Sequence, residues 1–157
     1  MRPIATTLAC GFLCGWIALN VSEGIAAGDL LRVSGAWVSP TVPGQTVGAL
    51  YMRLRSEQDA ALVKVETDAS SAAEIHHMTS VNDVMRMRRL DQVALPAGQL
   101  VELAPGGRHV MLVDLRHPLK IGDSVRIALT LRLRDGSAAR ETVDAPVARK
   151  AAHGDHR

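Results

Sequence analysis

Two histidines and several methionines carry the chemistry of this chain. His109-Val110-Met111 sets an imidazole and a thioether at i and i+2, on one face of any strand that contains them. His76-His77-Met78 repeats the arrangement, and Met85 and Met87 likewise share a strand face. Beyond the initiator the methionines are Met52, Met78, Met85, Met87 and Met111, and His76, His77 and His109 fall in nearly the same window as the last four. Imidazole and thioether without carboxylate or thiolate favour Cu(I), because thioethers are soft donors while magnesium and calcium take oxygen ligands. Zinc more often has Cys, Asp or Glu beside His. Apolar strands also use methionine as core filler, and Val110-Met111-Leu112-Val113 reads equally well as a buried strand. The residue types admit both readings.

The only cysteines, Cys10 and Cys14, lie in an N-terminal segment with a separate meaning. Residues Ile4 to Val21 carry no charge, Arg2 supplies a minimal positive start, and Gly24-Ile25-Ala26-Ala27-Gly28 offers small residues for cleavage. Residues 1–27 therefore read as an export signal, with an uncleaved membrane anchor as the alternative; a lipoprotein signal is disfavoured, because the residues before Cys10 and Cys14 (Leu8-Ala9 and Phe12-Leu13) sit too early or are too bulky. Cleavage removes both thiols. A blue-copper electron-transfer site needs a Cys ligand, which the remaining chain lacks.

The elements that must position these side chains read as strands. Ser124 to Arg134 alternates, with Val125, Ile127, Leu129, Leu131 and Leu133 on one face. Further strands are expected at Leu31–Val38, Val47–Leu54, Ala61–Glu66, Val84–Leu90, Gln99–Leu103, His109–Leu115 and Glu141–Val147. Pro43-Gly44, Pro96-Ala97-Gly98, Pro105-Gly106-Gly107 and Asp135-Gly136 punctuate them. A helical turn is expected at Asp68–Ala73. Many short strands between turn residues predict an antiparallel sandwich or barrel, as one domain over residues 28–147 with a loose tail at 148–157. Eighteen basic and sixteen acidic residues leave a net charge of +2, which offers no nucleic-acid surface. With no nucleophile elbow, phosphate loop, HExxH or Ser/His/Asp arrangement, the chain does not read as an enzyme.

The spacing His76-x10-Met87-x21-His109-x-Met111 resembles the motif of the periplasmic copper chaperone family PCu(A)C. The flanking segments Ala36-Trp37-Val38, Gly48-Ala49-Leu50-Tyr51-Met52, Glu74-Ile75-His76, Val84-Met85-Arg86-Met87-Arg88 and Pro105-Gly106-Gly107-Arg108-His109 are similar to that family too. Ser39 departs from the Arg common there. The resemblance implies a cupredoxin-like, antiparallel Greek-key β-sandwich in the periplasm, a monomer that carries Cu(I) on His76, Met87, His109 and Met111. It implies delivery to the copper subunit of cytochrome c oxidase or to a Sco-type thiol chaperone, with membrane contact only through the acceptor. Met78 competes with Met87 as a ligand, since it completes a second His-x-Met pair, and Met85 has no counterpart in the motif. Copper storage or resistance, and a metal-free sandwich that binds another protein, are the alternative functions. His153 and His156 in the tail suit Cu(II), which prefers nitrogen and oxygen. Arg86, Arg88, Arg89 and Arg108 form either a solvated basic face or a steering surface for an acidic acceptor.

Overall fold

The computed structural model describes residues 30–82 and 84–149. The export signal with Cys10 and Cys14, and the tail with His153 and His156, lie outside the described residues. All regular structure among these residues is strand: β1 (Leu31–Val38), β2 (Val47–Ser56), β3 (Ala60–Thr67), β4 (Ser70–Val81), β5 (Val84–Leu90), β6 (Val93–Leu95), β7 (Leu100–Leu103), β8 (Arg108–Leu115), β9 (Ser124–Leu133) and β10 (Ala138–Pro146). One sheet runs β1-β2-β8-β4-β5, with β7 also paired to β2, and the other runs β10-β9-β3-β6. Every ladder is antiparallel. The chain changes sheet after β2, β3, β5, β6 and β8, so spatial neighbours are often distant in sequence. This is the cupredoxin-like β-sandwich.

The core is the apolar set of the two facing sheets. The alternation of β9 holds: Val125, Ile127, Leu129 and Leu131 are buried, and Arg126 and Arg132 are exposed. Opposite them Leu50, Leu54, Ile75, Val110 and Leu112 close the other side. Each fully buried aliphatic side chain contributes about 1.5–3 kcal/mol relative to exposure. Met52, only 1% exposed, is the core filler that an apolar strand predicts for methionine. At the β9–β10 turn the Ser137 hydroxyl and backbone N–H both donate to Asp135 Oδ1, and they hold that carboxyl below its ordinary range.

One expectation needs correction, and two strands were not expected. Asp68–Ala73 forms no helical turn, because Ser70 already enters β4 and pairs with Leu115. β4 itself breaks the alternation rule: Ser70-Ser71-Ala72-Ala73 has little β-propensity, and the strand forms because β8 and β5 flank it. β6 is too short for a periodic signal, but its Val93 and Leu95 are buried.

Two backbone devices prepare the outer face of the larger sheet. Between Ser34 and Trp37 the β1–β2 register shifts by one residue, with Gly35 at φ 58°. A bulge of this kind favours glycine. Without it Trp37 would fall on the core side; with it Trp37 stands opposite Tyr51 on the outer side. The second device is the turn Ala104-Pro105-Gly106-Gly107, closed by a hydrogen bond from Gly107 N–H to the Ala104 carbonyl, with Gly106 at φ 80°. Proline then glycine at the central positions is the composition of a type II turn. This turn ends β7 and starts β8 on the same edge of β2, which fixes where His109 begins.

Candidate metal centre

Strand register places the sequence-derived ligand residues on one outer face. His76 stands directly opposite His109 across β4–β8, and Glu74 opposite Met111. On the other side of β4, Met78 stands opposite Met87 and His76 opposite Arg89. Directly opposed residues share a face, so His76, Met78, Met87, His109 and Met111 all lie on the side away from Ile75 and Val110. The two histidines occupy one row, Met111 the next row in one direction, and the Met78–Met87 pair the next row in the other. His77 pairs with Arg88 and Arg108 and lies on the reverse face, apart from this group. His117 is exposed at a loop.

The imidazoles are close and their outer nitrogens are occupied. The ring centres of His76 and His109 are 6.1 Å apart, with planes 26° from parallel. A metal–nitrogen bond of about 2 Å places a ring centre about 3 Å from an ion, so the pair is within the span that one ion bridges. His76 Nε2 lies 3.0 Å from Glu74 Oε2, and Glu74 Oε1 accepts from Arg89 Nη1 at 2.9 Å. His109 Nδ1 lies 3.2 Å from the Gly107 carbonyl oxygen. Carboxylate and carbonyl can only accept, so these contacts assign the protons to His76 Nε2 and His109 Nδ1. They leave His76 Nδ1 and His109 Nε2 with free lone pairs. Metal-bound histidines show this pattern, with the second nitrogen donating to a carboxylate or a backbone carbonyl. His76 Nδ1 is moreover buried and has no hydrogen-bond partner, a cost that coordination would remove.

An aromatic row walls the site on one side. Trp37 and Tyr51 pack tilted, their ring centres 4.6 Å apart and their planes at 33°, and the Tyr51 ring centre lies 6.3 Å from that of His109. His109 is consequently only 6% exposed, although it points away from the core. Among the described residues, no three His, Cys, Asp or Glu side chains converge to hold an ion. The carboxylate on this face, Glu74, is already engaged by His76 Nε2 and Arg89, so the donors left beside the two imidazoles are the thioethers of the neighbouring rows, and that set suits a soft ion of low coordination number better than a hard one.

Glu74 and Arg89 are the site residues that sequence reading did not assign this role. Glu74 at i−2 from His76 shares its face only if a strand is recognised there, and β4 is the strand that patterning misses. Arg89 is not a free surface cation: it is tied to Glu74 on the ligand face. Arg86 and Arg88 pair across from Thr79 and His77 on the reverse face, where Arg108 also lies. The basic residues are thus divided between two surfaces.

A model of the LpqE-like family, described as candidate lipoproteins, matches residues 31–147. The Leifsonia xyli subsp. xyli protein Lxx21020, which its name marks as a candidate lipoprotein, is 33% identical over 112 residues, spanning 71% of this chain and 66% of that protein. The uncharacterized protein RP573 of Rickettsia prowazekii is 31% identical over 123 residues, spanning 71% of this chain and 65% of that one. The chain thus spans slightly less than two thirds of the length of these curated relatives. Among solved structures, Cu(I)-bound DR1885 from Deinococcus radiodurans has a TM-score of 0.53 at 30% identity, covering 75% of this chain and 77% of its own. The apo PCuAC domain of PmoF2 has a TM-score of 0.59 at 26% identity over 79% of this chain and 94% of that domain. Its copper-bound form has a TM-score of 0.58 at 24% identity over 74% and 91%, a likeness of fold.

Proposed function

The chain belongs to the LpqE-like family, that of the PCu(A)C domains, and from that premise we propose that it is an exported Cu(I) carrier. The cargo is held by His76 Nδ1, His109 Nε2 and the Met111 thioether, with Met87 joining from β5. The observation that carries this reading is the histidine pair: two rings 6.1 Å apart, each with its second nitrogen engaged by an acceptor, one of them leaving a buried, unpartnered Nδ1. The copper-bound relatives support it.

The same donors suit release. Thioethers are neutral and stabilise Cu(I), but they bind less tightly than thiolates, so an acceptor bearing cysteine can draw the ion away. The acceptor is the copper subunit of cytochrome c oxidase or a Sco-type thiol protein, and the compartment is the periplasm. The export signal in the sequence and the lipoprotein relatives support the location. Arg86, Arg88 and Arg108, which share the reverse face, supply a basic surface for an acidic acceptor. Transfer should therefore slow as salt rises.

Anaerobic titration with Cu(I) against a chromophoric competitor tests the core of this reading. Sub-micromolar binding is expected, and it should weaken from about pH 7 to about pH 5, because a protonated imidazole cannot coordinate. Binding no tighter than micromolar, or an affinity flat over that range, overturns it. Storage is separated from delivery by deleting the protein and assaying oxidase under copper limitation; unchanged oxidase activity argues for storage.

Glu74 provides a sharper test. Glu74→Gln keeps the shape and an acceptor for His76 Nε2–H but removes the charge that Arg89 holds in place. Replacing an outer hydrogen-bond partner of a ligating histidine costs about 10–100-fold in metal affinity, so a loss of at least tenfold is expected. The 15N shifts of the His76 ring should show its proton less firmly fixed on Nε2. Unchanged affinity and unchanged ring shifts would remove Glu74 from the site.

A further inference from the structure

The β4–β5 hairpin carries methionines that packing does not explain. β8 begins at Arg108, opposite His77. Past that point the pairs Thr79–Arg86, Ser80–Met85 and Val81–Val84 join β4 and β5 only to each other. Among the described residues the tip is therefore a two-stranded arm, with β5 exposed from Val84 to Arg89. Met87 is 50% exposed and Met85 54%, against 1% for Met52 in the core. A thioether half in water fills no gap, so the ordinary role of methionine does not apply at these positions.

Their arrangement is that of a ligand set. Met78 and Met87 are directly opposed, and Met85, opposite Ser80, lies on the same face one row further out. Opposed side chains on a sheet have Cβ atoms about 4.5–5.5 Å apart and diagonal ones about 7–8 Å. Three unbranched side chains with three rotatable bonds each can bring their sulfurs to one ion over such separations. Arg86 pairs with Thr79 and Arg88 with His77, so both belong to the other face of the arm, and the cation on this face, Arg89, lies one row inward and is tied to Glu74. The trio also continues the row of the histidine pair: Met78 follows His76 by two residues, about 7 Å along the strand.

We propose that Met78, Met85 and Met87 form a second, all-thioether Cu(I) site on the β4–β5 arm, adjoining the histidine site and sharing Met87 with it. The arm ion is the exposed one, placed where copper enters or leaves. The inner ion is then held by His76, His109 and Met111, three ligands, a number that Cu(I) accepts. This inference rests on the carrier reading but is separable from it, because the carrier reading needs only the inner ion.

The test is a stoichiometric titration of the purified protein with Cu(I) under anaerobic conditions, after alkylation of any thiol. Wild type is compared with Met78→Leu/Met85→Leu and with His76→Ala/His109→Ala. Leucine preserves apolar surface and removes sulfur, so a mere apolar docking patch survives the first change and a thioether site does not. The leucine variant is expected to bind one equivalent fewer than wild type and to retain the tighter one. The histidine variant is expected to lose the tighter equivalent and keep the weaker. With Ag(I) as a closed-shell probe, the ε-methyl 13C signals of Met78, Met85 and Met87 should move together while that of Met52 stays still. Equal stoichiometry in wild type and the leucine variant, or unmoved Met78 and Met85 signals, overturns the arm site and leaves the carrier reading standing. Absence of any bound equivalent in wild type overturns both.

Discussion

Changing His76 and His109 together to alanine is expected to abolish the tight Cu(I) equivalent, lowering its affinity by about a hundredfold or more, since outer-partner changes alone cost about 10–100-fold. A hundredfold loss corresponds to about 2.7 kcal/mol. Among the described residues the two rings supply the imidazole nitrogens of this face, and Met111 and Met87 alone would offer two neutral sulfurs from opposite rows. The fold should survive, because both rings point away from Ile75 and Val110, which carry the packing on the core side of the same strands. Far-UV circular dichroism and the unfolding midpoint of the metal-free variant would check that. The single changes should be unequal in character. His109 is covered by the Tyr51–Trp37 wall, so His109→Ala also opens a space beside Tyr51. His76→Ala instead removes the donor to Glu74 Oε2 and leaves the Glu74–Arg89 pair in place. A double variant whose tight affinity lies within about threefold of wild type would refute histidine ligation, because the cited outer-partner losses are already larger than that.

How much of this was legible before the fold depends on which strand carried the residue. β9 and β8 could be read directly: the first alternates, and the second is an apolar run behind a Pro-Gly-Gly turn. β4 could not. Its start is serine and alanine, and its stability comes from two flanking ladders that join residues far apart in sequence. That gap hid the partner of His76, since Glu74 becomes a neighbour only when residues 74 and 76 are known to be two apart on a strand. The four positions of the motif came from the resemblance to the family, and register brings the two imidazoles together. It sets Met87 beside Met78, one row beyond the histidines, which spacing gave no means to see. Periodicity was equally silent on methionine. Met52 and Met85 both sit in strands, yet one is core and the other is half exposed, because one strand has a sheet beneath it and the other projects past the sandwich.

Leu50→Ala is expected to destabilise the sandwich by about 3 kcal/mol, within the 2–5 kcal/mol found for buried Leu→Ala changes. Leu50 is fully buried in β2, opposite Val38 on one side and Val110 on the other, so it ties three strands of the larger sheet. At a few degrees per kcal/mol, the midpoint of a domain this size should fall by about 10 °C. The affinity of the folded molecules for Cu(I) should nevertheless stay near that of wild type. The next residue, Tyr51, faces the opposite way, and the ladder Ala49–Met111 and Leu50–Val110 that places β8 is made by backbone, which alanine retains. Binding to the folded form alone should then restore stability by linkage, by about 2.7 kcal/mol at a free concentration a hundred times Kd. The two effects nearly cancel, so copper-loaded Leu50→Ala should unfold close to metal-free wild type. If instead the variant loses its copper well below its own midpoint, the outer face is not held by the ladder alone. The metal ligands would then depend on core packing through β2 and β8, and a rigid scaffold bearing an independent site would be the wrong description.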